Sequence, residues 1–164
     1  YMPGYGIANA AAALVGRSVG AGNMESAKRD GNICIALGAF LMTCTGAVMM
    51  FLCPLVFGML TPVADVQQLA ARVLRIELLA EPLFGASIVA AGALRGAGDT
   101  LVPSLLNLGS IWLVRVGSAL VLVPRFGLTG MWCAMAVELC IRGLLLLVRQ
   151  RTSKYYLPMD TKRP

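Results

Sequence analysis

An all-α polytopic membrane bundle of five transmembrane helices is the fold class this sequence predicts, and three observations predict it. Only 13% of the 164 residues are charged and 58% are hydrophobic, against about 25% charged in soluble domains. The mean hydropathy of +0.76 means more apolar surface than a soluble fold of this size can hide. The third observation is a repeat. Leu14-Val15-Gly16-Arg17-Ser18-Val19-Gly20-Ala21-Gly22-Asn23 returns about 76 residues later as Ala90-Ala91-Gly92-Ala93-Leu94-Arg95-Gly96-Ala97-Gly98-Asp99-Thr100. Each copy closes a long apolar helix and opens another, as expected of a membrane protein built from related units. Helices are required because lipid satisfies no free backbone group, and about 20 apolar residues span its core.

The first helix runs from about Gly4 to Val19 and is dense in alanine. Its end carries the first glycine turn, where Gly20 and Gly22 can enter the left-handed region and Asn23 can cap the next helix through its side-chain oxygen. The second helix starts after Asn23, carries Lys28 and Arg29 near its start and runs to Leu60, where Thr61-Pro62 breaks it. The third begins near Asp65 and ends at Leu94-Arg95, followed by the second turn with Gly96, Gly98 and, as the expected cap, Asp99. The fourth spans about Leu101 to Val123 and stops at Pro124-Arg125-Phe126-Gly127; the fifth runs from about Leu128 to Val148. A basic, polar and solvated tail is expected over 150–164. Gly16 with Gly20, and Gly92 with Gly96, have the small-xxx-small spacing that lets helices approach closely.

The net charge of +6 is distributed as in a multi-pass protein. Arg17, Lys28, Arg29, Arg95, Arg149, Arg151, Lys154, Lys162 and Arg163 flank the two glycine turns or follow the fifth helix, whereas Arg72, Arg75 and Arg125 fall toward the opposite ends. The positive-inside rule then puts the N-terminus outside and the C-terminus in the cytoplasm. No basic patch with interleaved aromatics is present, so nucleic acid is not an expected partner. There is no histidine, and the five cysteines lie in apolar segments without paired spacing, which argues against a metal site and a disulfide framework. Neither a His-Asp nor a Ser-Lys set suggests an intramembrane enzyme. Gly-Ala-Gly lacks the Lys-Ser/Thr and the strand of a phosphate loop. The start at Tyr1 has no basic leader pattern and already enters an apolar helix, so the chain reads as a piece of something longer.

These residues together resemble the multidrug and toxic compound extrusion (MATE) family. The resemblance is carried by Leu14-Val15-Gly16-Arg17, Gly20-Ala21-Gly22-Asn23 and Glu25-Ser26-Ala27-Lys28. It continues through Glu81-Pro82-Leu83-Phe84, Gly92 to Thr100 and Pro103, then Trp112 to Arg115, Gly127 to Trp132, Glu138 and Arg142-Gly143. It covers about residues 3 to 150. It implies a twelve-helix antiporter of two six-helix lobes in the cell membrane, of which this chain is similar to helices eight to twelve. On that basis 1–149 is a partial C-terminal lobe, 150–164 a cytoplasmic tail, and the missing N-terminal lobe a partner. The implied activity is export of small organic, mostly cationic compounds, coupled to protons or sodium, with no other cofactor. A lipid-linked oligosaccharide flippase of the same superfamily and a transport-inactive membrane fragment are the competing readings.

Ionisable groups inside hydrocarbon are costly and usually functional, which singles out Glu81. With Arg95 at the inner boundary, a core of about 20 residues begins near Arg75, and Glu81 lies roughly 9 Å inside it. Pro82 removes a helical hydrogen bond and frees the carbonyl of Leu78. A carboxylate beside that opened turn can take a proton, sodium or an organic cation. The family's acidic residue in the corresponding helix falls about one turn nearer the Leu-Arg-Gly motif, where this chain has Phe84. Glu77, one turn above Glu81, either extends an acidic vestibule or pairs with Arg72 or Arg75. Glu138 and Arg142, four apart, are expected to pair along their helix, as a packing clamp in which Arg115 joins either Glu138 or Glu81.

Overall fold

The structure is a computed structural model that describes residues 1–153, and within them every regular element is helical. α1 (Met2–Gly20), α2 (Met24–Leu60) and α3 (Ala64–Gly96) are followed by α4 (Leu101–Gly109), a π-helical segment (Ser110–Val116) and α5 (Gly117–Thr152). α5 is two helices joined at Gly127, whose backbone (φ 55°, ψ −135°) is not helical. The chain reverses there: a Cβ on Gly130 would run into the carbonyl oxygen of Leu122. The described helices thus form five rods, the fourth comprising α4, the π-helical segment and the first part of α5. By length and composition, Met24–Leu60 and the run Leu101–Thr152 are apolar enough to cross a membrane.

Both glycine turns adopt one geometry. Gly22 (φ 76°) and Gly98 (φ 93°) are left-handed, and the bonds around them correspond one for one. Asn23 N–H donates to Ser18 O and Gly22 N–H to Val19 O; Asp99 N–H donates to Leu94 O and Gly98 N–H to Arg95 O. This paired pattern is the Schellman motif, which closes a helix by satisfying its last carbonyls. The turns diverge one residue later. Asn23 caps α2, its Oδ1 accepting from Ser26 N–H at 3.0 Å. Asp99 caps nothing, contrary to the sequence expectation. Thr100 intervenes before α4 without a side-chain cap, and the buried Asp99 carboxylate instead accepts from Arg149, 2.7 Å away. A full opposite charge outcompetes one backbone N–H for that carboxylate.

α3 is the central rod, in contact with α1, α2 and α5. The side chains at its contacts are mostly small: Ala8, Ala11 and Ala27 from α1 and α2 lie in the core with Val15, against Ala86, Ala90 and Ala93 of α3 itself with its Val89 and Leu94. Large apolar groups point outward, with Phe51 85% and Leu120 74% exposed, while Asp99, Glu138 and Gln150 are buried. Small and polar side chains inside with bulky apolar ones outside is the pattern of helices packed in an apolar solvent.

The α1–α3 contact is close because of glycine. A Cβ at Gly92 or Gly96 would collide with the carbonyl oxygen of Ala8 or Ala12, and one at Gly16 would stand 3.3 Å from Gly96 O. Gly20, expected to share this face, has nothing within 4 Å, so only Gly16 of the first pair packs. Gly96→Val should therefore lower the stability of the solubilised chain by about 1–3 kcal/mol through overpacking. Gly20→Ala should leave its thermal midpoint unchanged.

The ends of four rods converge on one side. Asp99 holds Arg149, Ser18 Oγ donates to Asp30 at 3.0 Å, and a Cβ on Gly31 would touch Gln150. Arg17, Lys28, Arg29, Arg95 and Arg151 are exposed around that end. α5 stays helical through Thr152, and Gln150, expected in the solvated tail, is buried. The rest of the expected tail, including Lys154, Lys162 and Arg163, lies outside the described residues.

Candidate functional site

Two interruptions of regular helix face the charged residues. In α3, Pro82 lies inside the helix directly after Glu81. Between α4 and α5, Ser110–Val116 is π-helical, a wider winding common at functional sites. That winding presents both Ser110 and Arg115 to Glu138. Ser110 Oγ donates to Glu138 Oε1 at 2.8 Å, and an Arg115 amino nitrogen stands 3.3 Å from Oε2. Arg142, one turn along α5, approaches Oε1 at 3.3 Å. Glu138 is fully buried. Its approaches to the arginines are ionic rather than well-aligned hydrogen bonds, since Oε2 and both arginine Nε atoms lack hydrogen-bond partners.

Arg142 has further contacts. It donates to Asn107 Oδ1 and lies 5.5 Å from the ring centre of Phe84, within cation–π range. The position one turn below Glu81 thus offers Arg142 an aromatic face, and Glu138 remains its carboxylate. Beside Arg142 opens a crevice of about 210 Å³, lined by Tyr5, Phe84, Ser87, Arg95 and Asn107 among others. That is smaller than the roughly 300–1,000 Å³ of sites that enclose drug-sized ligands, so by itself it holds only part of one.

Glu81 belongs to none of these pairs. Its stem rests against α2, where a Cβ on Gly46 would stand 3.5 Å from Glu81 Cβ. Its Oε2 is buried and has no hydrogen-bond partner, and among the described residues no arginine or lysine forms a salt bridge with it. Glu77 likewise has no ion pair to Arg72 or Arg75 among the described residues, contrary to one of the two expectations; the charges it faces are those of Glu81 and Arg115. The reason is rotational: one turn separates Glu77 from Glu81, so both share one face, whereas Arg72 and Arg75 line a cavity between α2 and α3.

The structure thus gathers Glu77, Glu81, Arg115, Glu138 and Arg142 in one region, and the turn residues Gly20, Gly22, Asn23, Arg95, Gly96, Gly98 and Asp99 at one end of the bundle. Sequence reasoning missed Ser110 and Asn107, both on the face of the fourth rod toward α5. Asn107, a lone amide in an apolar run, was a usable signal. The π-helical winding that turns Ser110 inward has no sequence signature.

Comparison with known proteins agrees with this architecture. The MatE family model matches residues 1–121. A probable multidrug resistance protein NorM of Deinococcus radiodurans is 34% identical over 157 residues, covering 91% of this chain and 35% of that protein. The NorM of Brucella suis is 34% identical over 159 residues, 92% of this chain and 34% of its own. That of Thermotoga maritima is 31% identical over 157 residues, 90% and 32% respectively. The chain spans about a third of the length of these curated relatives. The matched residues include both glycine turns, the Glu81-Pro82 helix and the Arg115 segment, and the chain belongs to the MatE family, the multidrug and toxic compound extrusion proteins that those motifs resemble.

Proposed function

We propose that this chain is the C-terminal part of a cation-coupled antiporter that exports small organic, mostly cationic compounds across the cell membrane. Its five rods are five membrane crossings, the eighth to twelfth of a two-lobed twelve-helix transporter. The basic end with the two glycine turns faces the cytoplasm. The remaining lobe is its partner, and no bond-making chemistry is involved.

The observation that carries this reading is the buried, undonated oxygen of Glu81 beside Pro82. A carboxylate in apolar surroundings is expensive unless it is neutralised. Arg115 and Arg142 cannot serve, because Glu138 already holds both. What remains is a mobile positive charge: a proton, a sodium ion or the cationic group of a substrate. Alternate binding of coupling ion and substrate at one carboxylate makes each displace the other, which is the thermodynamic core of antiport. Glu77, one turn above on the same face, adds negative potential on the way to Glu81.

The test is a chimera. The first two thirds of the Deinococcus relative is fused to this chain and expressed in a bacterium without its own multidrug pumps. Ethidium efflux from everted vesicles is then followed under an imposed proton or sodium gradient. Efflux that requires one of these gradients is expected. A chimera that reaches the membrane in normal amount and moves no ethidium under either gradient would refute the reading.

A further inference from the structure

The arginines at the other end of the bundle take no part in this site. Arg72 and Arg75 are exposed, lie on one face of α3 three residues apart, and make no ion pair or side-chain hydrogen bond among the described residues. They line a cavity of about 660 Å³ between α2 and α3. Its other walls include Gln68 beside the arginines, and Met50, Pro54 and Leu79. Leu79 is 75% exposed, so the apolar wall is open to the surroundings of the bundle.

Depth decides what can occupy this groove. Arg75 and Arg95 are 20 residues apart in one helix, about 30 Å at 1.5 Å per residue, which equals the hydrocarbon thickness of a bilayer. With Arg95 at one interface, Arg75 is at the other, and Arg72 one turn further out. The guanidinium groups then stand at the level of lipid phosphates. Leu79 reaches one turn inward, at the level of acyl chains. Cations at the headgroup level above an apolar channel are complementary to a single kind of molecule.

We infer that the groove between α2 and α3 binds an anionic phospholipid of the outer leaflet, its phosphate held by Arg72 and Arg75 and an acyl chain laid along Met50 and Leu79. The inference rests on the membrane-spanning reading above. Two guanidinium forks suit a phosphate diester, which accepts paired N–H bonds, and Gln68 supplies an amide for headgroup hydroxyls. The volume is in the range of about 300–1,000 Å³ that encloses drug-sized ligands, enough for a headgroup and the start of a chain. Bound lipid supplies the counter-charge that the protein withholds from these two arginines.

The test uses the full 164-residue chain. An alkaline wash of the expressing membranes comes first. Protein that washes off overturns the membrane reading and the lipid site with it. Protein that stays is extracted in mild detergent and titrated with phosphatidylglycerol, with phosphatidylcholine of the same acyl chains, and with inorganic phosphate, counting bound molecules by native mass spectrometry. Arg72→Gln with Arg75→Gln should weaken phosphatidylglycerol binding about thirtyfold, from roughly a fivefold effect per basic group near a lipid surface. Arg125→Gln, a cation outside the groove, should leave it unchanged. Binding by the double variant within twofold of the parent, equal binding of phosphatidylcholine by the parent, or displacement of the lipid by equimolar inorganic phosphate each overturns the site. Should the double variant lose its helical circular dichroism, salt decides. Raising ionic strength from about 0.05 to 0.5 M should weaken phosphatidylglycerol binding, and not phosphatidylcholine binding, in the parent chain; insensitivity to salt overturns the site.

Discussion

Glu138→Gln is expected to deplete the protein from the membrane. Glutamine preserves the shape and can still accept from Ser110, but it removes the carboxylate that ion-pairs with both Arg115 and Arg142. Two cations, only 28% and 13% exposed, then stand together without compensation. Breaking a buried ion pair by removing one partner costs about 3–5 kcal/mol, comparable with the whole stability of a small domain. Membrane abundance and the thermal midpoint of the solubilised protein should both fall. Removing Arg115 as well should recover part of the loss, because the pair is coupled: Arg115→Gln with Glu138→Gln should be more abundant than Glu138→Gln alone. Unchanged abundance and midpoint in the single variant would show that the triad carries no structural load.

Glu81→Gln should behave in the opposite way. No side-chain partner is lost among the described residues, and the amide fits the same space against Gly46. Replacing a buried carboxylate by a neutral isostere relieves desolvation rather than adding to it, so abundance of the chimera should be unchanged or slightly raised. Gradient-dependent ethidium efflux should be abolished, because an amide does not exchange protons and binds cations poorly. Abundance and efflux measured on the same vesicles separate the outcomes. Loss of the protein would mean that Glu81 neutralises a cation after all, and full efflux at normal abundance would make it a spectator. Glu81 and Glu138, both glutamates in apolar helices, thus have opposite expected phenotypes, and the difference lies in their neighbours.

Much of the architecture could be read along the chain because the signals that end helices are local. A left-handed residue favours glycine whatever surrounds it, so Gly22 and Gly98 mark two turns. Proline and glycine at Thr61-Pro62 and Pro124 to Gly127 end or bend helices for equally local reasons. The expected breaks therefore fall within a few residues of those in the structure, and α2 ends at Leu60 as the sequence suggests. The close α1–α3 approach was legible as glycine spacing at Gly92 and Gly96. It failed at Gly20, because spacing gives a face of the helix but not how far along it the neighbour extends.

What the sequence by itself determined, then, is the class of solvent, the number and ends of the rods, and which residues are expensive to keep inside them. The tertiary structure alone decided how those residues are shared out. Asp99 looked like a cap by analogy with Asn23 and became the partner of Arg149, 50 residues away. Gln150 looked like the start of a solvated tail and is buried, with its side chain close to Gly31. Arg115 had two carboxylates within reach of sequence reasoning, and the π-helical winding turned it to Glu138, leaving Glu81 undonated. The physical reason is common to all three. Helix ends are governed by backbone torsions within a few residues, whereas the partner of a buried charge is set by the rotation of one rod against another, a sum of many contacts that no single stretch of sequence contains.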